Sequence, residues 1–252
     1  PWPSARTAKP WLPAVQAAAS ELAAHHAIDA KGYACDITQP ESIRRAAAAI
    51  ETALGPVSIL LNNAASKTRD VDAFFAPVAT FTQETWREIM SVNLDGMFNV
   101  AQVFGTGMAE RGYGSIVQTA SIYGLMAPDQ RIYEGSEYLG RVINTPAVYT
   151  ASKAGVIGLT KHLATYWGAQ GVRVNTLTPG GVESAQNDTF KQRYGARVPL
   201  GEEKNIDCVE NLAALAARLE GERVILVMLP AGPATEDTLT ELYTQTHDAL
   251  VA

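Results

Sequence analysis

The sequence predicts a single doubly wound α/β domain built on a parallel sheet. Three observations carry that expectation. Short apolar runs alternate with longer helical patterns, as in strands joined by helical crossovers. The 252 residues, 47% apolar and 18% charged, suffice for one sizeable core. No repeat or low-complexity linker divides them.

Taken in order, VQAAASELAA (15–24) reads as a helix and GYACD (32–36) as the first recognisable strand. Thr38 and Glu41 have capping-box spacing and Pro40 lies in the first turn, so they open the helix ESIRRAAAAIETAL (41–54), which Gly55 and Pro56 stop. VSILLNNAA (57–65) is the next strand, and TQETWREIMSVNLDGMFNVAQVFGTGMAERG (82–112) a long helix. SIVQTAS (115–121) is followed by LMAPDQRIYEGSEYLGRVINTP (125–146), which reads as an inserted loop. Then come the helix AVYTASKAGVIGLTKHLATYW (147–167), the strand VRVNTLTPGG (172–181), the helix NLAALAARLEG (211–221) and the strand RVILVML (223–229).

Composition excludes several functions. A net charge of -6 gives no basic footprint for nucleic acid or an anionic membrane. No apolar run approaches the roughly 18 residues of a membrane span. Cys35 and Cys208 lie far apart without metal-type spacing, and His25, His26, His162 and His247 show no ligand spacing. We therefore expect no metal site and two inert thiols in a reducing, cytoplasmic compartment. PWPSARTAKPW has no apolar segment of a signal peptide. The chain opens on Pro rather than Met, so its true beginning is expected upstream. Back-translated and read one frame over, PWPSARTAKPWLP permits LALGADGEAVAA, which suggests that residues 1–13 are out of frame with the rest.

Open α/β sheets bind ligands at their strands' carboxyl ends. There the sequence places Ser121, Asn62, Asn63 and a Pro-Gly-Gly turn. Tyr149 and Lys153 stand at i and i+4, on one helix face. A phenol titrates near 10, so an acid/base role needs its phenolate stabilised, which a nearby ammonium supplies. Gly155 and Gly158, flanked by Ala151 and Ala154, each cost about 1 kcal/mol in a helix, so something is expected to approach this helix closely. Asn93 mid-helix is unfavourable by propensity, which points to a functional role.

NNAA (62–65), Asn93 in SVNLDG, GSIVQTAS, YTASK (149–153) and VRVNTLTPGGVES (172–184), in this order, resemble the short-chain dehydrogenase/reductase family over about residues 30–200. The resemblance implies a Rossmann-like fold and reversible hydride transfer between NAD or NADP and an alcohol or carbonyl. It implies that Tyr149 is the acid/base, that Lys153 lowers its pKa and binds the nicotinamide ribose, that Ser121 orients the reacting oxygen, and that Asn93 holds a proton-relay water. Asp36 and Ile37 would hold the adenine, and Asn63, Ala64 and Ala65 the adjoining ribose. Lys153 with Pro179, Gly180, Gly181, Val182 and Ser184 would hold the nicotinamide end. A homo-oligomer, dimer or tetramer, is expected.

Three regions depart from the family. Its first strand and TGxxxGxG-like turn should precede residue 30, yet the first glycine is Gly32 and no such stretch occurs. That turn brings backbone amides to the cofactor pyrophosphate. The chain is therefore expected to bind NAD(H) and NADP(H) weakly or not at all, without measurable dehydrogenase activity, and its sheet to have a gap mid-sheet. After Gly201, residues 205–245 resemble a helix-strand-helix piece of the β-hydroxyacid dehydrogenases such as 6-phosphogluconate dehydrogenase, or simply supply the sheet's last strand and a covering helix. The insertion 125–146 carries Arg131, Arg141 and Tyr133 beside the catalytic serine. It is expected either to roof a polar, sugar-like substrate or to be a subunit contact or solvated loop in which Glu134 and Glu137 neutralise the arginines. Besides the oxidoreductase, two other readings stand: a catalytically silent binding or scaffold homologue, and a β-hydroxyacid dehydrogenase fragment, which leaves YTASK and NNAA unexplained.

Overall fold

The computed structural model describes residues 12–26, 29–68, 70–181, 186–198 and 225–227. Four parallel strands form its main sheet: β1 (Ile59–Asn62), β2 (Gly114–Thr119), β5 (Val172–Leu177) and β6 (Ile225–Val227), in the order β5-β2-β1-β6. Helices α1 (Leu12–His26), α2 (Pro40–Leu54), α4 (Gln83–Met90), α5 (Met97–Arg111) and α6 (Ala147–Trp167) join or flank them. A one-turn helix α3 (Val71–Phe74), a hairpin β3 (Glu137–Tyr138) and β4 (Arg141–Val142), and α7 (Asp188–Gly195) complete the described elements.

The core follows the apolar periodicity. α2 buries Ile43, Ala46, Ala47 and Ile50 at three- and four-residue spacing. Ile43, Ala47 and Ile50 pack with Leu60 of β1, Ile116 of β2, Val100 and Met108 of α5, and Leu163 and Trp167 of α6. Burying one such aliphatic side chain contributes about 1.5–3 kcal/mol. Because β1, β2 and β5 run parallel in register, Asn62 lies opposite Gln118, and Thr119 opposite Leu177, at one edge. Asn62 is fully buried and donates to Met97 O and Gln118 Oε1, both at 2.8 Å, which ties β1 to β2 and α5.

Several expectations change. GYACD is not a strand; Tyr33 and Cys35 pack against the core, and the Asp36 N–H donates to Ser42 Oγ at 2.9 Å. The capping box does not form, because Thr38 Oγ1 donates to Asp36 Oδ1 at 2.7 Å and Gln39 takes the N-cap without a side-chain bond. Pro40 at the first helical position starts α2 instead. The long helix is broken by a π-helical turn, Ser91–Gly96, between α4 and α5. Such turns interrupt helices chiefly at functional sites, and this one carries Asn93. Where the family's first strand is expected to be missing, the edge of β1 away from β2 is paired. Ile225, Leu226 and Val227 pair in parallel with Ile59, Leu60 and Leu61. Ile225–Val227 thus form the last strand of the described sheet, on the side of β1 away from β2, and satisfy backbone groups that an uncovered edge of β1 would leave unpaired. Of residues 205–245 only these three are described, and residues 1–11 with the proposed frame change lie outside the described residues.

The close approach to α6 is real at Gly155, where an added Cβ would meet Leu94 Cδ2 at 2.8 Å. Gly158 has open space around it. His162 stacks on Tyr166, with ring centroids 6.0 Å apart. Among the described residues no helix is long and apolar enough to cross a membrane.

Candidate active site

β2 ends at Thr119, and the loop beyond it is stitched to the end of β5. The Ala120 N–H donates to Leu177 O at 2.8 Å and the Ile122 N–H to Pro179 O at 3.1 Å. Between them Ser121 is buried and caps the short turn Ile122–Gly124, its Oγ accepting from the Tyr123 N–H at 3.2 Å. Gly124 closes that turn against α6: a Cβ there would meet the Lys153 carbonyl carbon at 2.7 Å. The turn after the serine is thereby pressed onto the backbone of the lysine.

Tyr149 lies in the first turn of α6, packed with Phe74, Ile89 and Val148, and its side chain feels that of Ser121. Burial pushes its pKa up, and the neighbouring Ser121 side chain pulls it partly back. Lys153, one turn on, is 4% exposed and is the one buried charged side chain among the described residues. It donates to Thr119 O at 3.0 Å, and its Nζ lies 5.8 Å from the Tyr149 ring centre. Burial pulls its pKa down to about 8. The expected depression of the phenol's pKa by Lys153 is not seen here: burial raises it, and the ammonium is directed at Thr119 O.

Asn93 is also buried, but its carboxamide clasps Ser66: Oδ1 accepts from the Ser66 N–H at 2.7 Å and Nδ2 donates to Ser66 O at 3.4 Å. It positions the loop after β1, so a relay water at Asn93 would have to use its main chain.

The residues expected to hold a dinucleotide frame the same crevice. Asn63, Ala64 and Ala65 follow β1 and are half-buried. The Asp36 carboxylate accepts from both the N–H and the hydroxyl of Thr38. Ile37 is buried against Gly96, and its carbonyl accepts from Asn99 Nδ2 at 3.3 Å. The Tyr194 hydroxyl accepts from the Gly181 N–H at 2.6 Å, which anchors the turn after Pro179 and Gly180. Val182 and Ser184 lie outside the described residues. Two features bear on NAD(P). Lys153 has one acceptor among the described residues, so two of its N–H donors remain for a ribose diol, which fits the nicotinamide end. For the pyrophosphate, the described residues supply no glycine-rich turn.

The insertion folds on itself. Its turn Gln130–Tyr133 and the hairpin β3-β4 pack Ile132, Tyr133 and Ile143 with Tyr194 in a small core of their own, against Phe190 and Phe75. The hairpin spans the crevice's two rims: the Lys67 ammonium sits 4.5 Å from the Tyr138 ring centre and Arg141 pairs with Asp72 at 2.9 Å on one side, while Tyr138 bridges to Gln186 on the other. Arg131 is exposed and clamps Asp129 with two bonds, at 2.8 and 2.9 Å, and Arg197 takes the second Asp129 oxygen at 2.6 Å. These two cations hold the Asp129 carboxyl well below the usual range. The partners of Arg131 and Arg141 are therefore Asp129 and Asp72; Glu134 pairs with Arg193 at 3.4 Å. Tyr133 is buried, and its hydroxyl bonds Thr145 and, at 3.4 Å, Tyr123. A cavity of about 450 Å³ opens beside the start of α6, lined by Phe81, Trp86, Gln130 and Thr145 but by none of Ser121, Tyr149 or Lys153. Tyr123, Thr145 and Tyr194 escaped the sequence reading. Only the position of Tyr123, two residues after Ser121, could have signalled one of them.

The short chain dehydrogenase family model matches residues 11–195. The chain belongs to the short-chain dehydrogenase family. Within it, the chain is 36% identical over 149 residues to D-threitol dehydrogenase of Mycolicibacterium smegmatis, a match covering 59% of this chain and 49% of that protein. A short chain dehydrogenase of Leptospira borgpetersenii solved with bound NAD+ is 32% identical, with 77% of this chain and 72% of that chain covered and a TM-score of 0.61. A gluconate 5-dehydrogenase of Burkholderia cenocepacia, solved with NADP and tartrate, is 31% identical, with 66% and 60% covered and a TM-score of 0.54. Family membership fixes the Rossmann-like fold seen here. The chain spans about half the length of the threitol dehydrogenase.

Proposed function

We propose that the crevice is the active site of an NAD- or NADP-dependent oxidoreductase that interconverts a hydroxyl of a polyol or sugar-like molecule with its carbonyl. The observation that carries the reading is the buried Ser121 beside half-buried Tyr149, with buried Lys153 one helical turn on. When bound, NAD(P) supplies the hydride acceptor or donor, its nicotinamide ribose held by Lys153 and its adenosine half by Asp36, Ile37 and Asn63–Ala65.

Each side chain then has one task. Ser121 Oγ accepts the Tyr123 backbone N–H, so its hydroxyl donates towards Tyr149 and the substrate oxygen that binds beside it. In the oxidation direction the Tyr149 phenolate takes the substrate hydroxyl proton, and in the reduction direction the phenol returns it. Lys153 makes that phenolate accessible. Its Nζ lies 5.8 Å from the Tyr149 ring centre, close enough for an ammonium to favour the phenolate over the phenol. The reading is supported by the relatives named for threitol and gluconate and by the tyrosine and threonine hydroxyls gathered near Ser121. It extends to a cytoplasmic homo-oligomer, in which the exposed Phe98 on α5 and Tyr166 on α6 offer surface to a second copy.

The test is turnover of galactitol and of 2-propanol, followed at 340 nm with millimolar NAD+ or NADP+, by wild type and Tyr149→Phe. Loss of turnover by about a hundredfold or more in a folded Tyr149→Phe is expected. Turnover retained within about tenfold would overturn the assignment of Tyr149.

A further inference from the structure

Tyrosines from three separate elements converge beside the catalytic serine. Tyr123 lies in the turn that Ser121 caps, Tyr133 in the insertion, and Tyr194 on α7. Stacking locks the outer two: Tyr133 packs on Phe190 with centroids 5.8 Å apart, and Phe190 on Tyr194 at 5.6 Å. Tyr133 is buried and donates to Tyr123 Oη at 3.4 Å, and its hydroxyl is also held by Thr145. The Tyr194 hydroxyl is engaged by the Gly181 N–H.

Tyr123 differs from the other two. It is only half-buried, its oxygen accepts from Tyr133, and its own O–H proton has no acceptor among the described residues. A phenol that is aimed from behind and keeps its donor unmatched is built to donate forward. Its backbone N–H bonds Ser121 Oγ, so its distance from the reacting oxygen is fixed by the same turn that fixes the serine.

We propose that Tyr123 is a specificity-determining residue that donates a hydrogen bond to a substrate hydroxyl next to the reacting carbon, selecting polyols over simple alcohols. The proposal rests on the oxidoreductase reading of this crevice. Burial and the neighbouring Tyr133 push the Tyr123 pKa far up, so it remains an O–H donor throughout the physiological range. A site that hydrogen-bonds a substrate hydroxyl discriminates against an analogue lacking it, because its own polar group is then left unpaired.

Tyr123→Phe keeps the ring and removes only the hydroxyl. It is expected to lower kcat/KM for galactitol about five- to hundredfold, while that for 2-propanol changes less than about twofold. Tyr133→Phe, which removes the bond that aims Tyr123, should shift the same ratio in the same direction by less. Calorimetric titration of galactitol gives a second readout: Tyr123→Phe weakens binding relative to wild type, whereas Tyr149→Phe retains binding without turnover. Binding by wild type that Tyr123→Phe weakens, with no turnover by either, would overturn the oxidoreductase reading and leave the subsite standing. Equal losses for both alcohols, no change for galactitol, or no galactitol binding by wild type would overturn the subsite.

Discussion

Lys153→Met separates the two roles that the structure gives this lysine. Methionine has nearly the same length and volume and no charge, so the packing under Tyr149 is preserved. In the folded chain Lys153 titrates at about 8 against its ordinary 10.5, with burial as the cause. The unfolded chain therefore holds more protons between those values, and stability rises with pH across that window. Below pH 8 the penalty is fully present; above 10.5 it has vanished. At 1.36 kcal/mol per pH unit it amounts to about 3 kcal/mol at pH 7. The bond to Thr119 O, which the variant lacks, offsets about 1 kcal/mol of that. Lys153→Met should thus be more stable than wild type by about 2 kcal/mol at pH 7 and no more stable at pH 11, while losing turnover. Urea unfolding at the two pH values reads the difference directly. A variant less stable than wild type at pH 7, or a difference independent of pH, would refute the reasoning.

Other consequences are sharper in sign than in size. Gly124→Ala drives a Cβ into the Lys153 backbone, so it should cost about 1–3 kcal/mol in thermal or urea unfolding and reduce turnover with it. Arg131→Ala should leave the galactitol KM within about threefold, because the guanidinium is already held by Asp129, as exposed pairs contribute little. A KM that rises for an anionic sugar but not for a neutral alcohol would instead make Arg131 a substrate clamp. Calorimetric titration of NAD+ and of NADP+ should give binding weaker than micromolar, because the described residues offer no glycine turn to the pyrophosphate. Micromolar binding would show that another segment cradles it.

What could be read in the sequence was whatever depends on local pattern. The bounds of α6 match the apolar run 147–167, since alanine, leucine and straight-chain residues suit a helix. Ser121, Tyr149 and Lys153 were legible because the ends of strand and helix fix their relative placement. What failed depends on partners distant in the chain. GYACD has strand composition, but β propensity expresses packing on a neighbour, and none pairs with it among the described residues. RVILVML was readable as a strand, yet nothing local says that its Ile225–Val227 pair with Ile59–Leu61. Thr38 had the spacing of a cap and bonded Asp36 instead, a local side-chain competition that spacing alone does not resolve. The arginines of the insertion were seen, whereas Asp129 and Asp72 were not identified as their partners. Tyr123 and Tyr194 enter the site only through tertiary contacts.

The central claim is that a hydride leaves the substrate carbon while Tyr149 takes the hydroxyl proton. Galactitol deuterated at C2, incubated with the protein and millimolar NAD+ or NADP+, tests it directly by NMR of the recovered nucleotide. The account predicts deuterium at C4 of the reduced nicotinamide, and none in the Tyr149→Phe reaction. Deuterium released to water, or no transfer to either nucleotide by the folded wild-type protein, would contradict it.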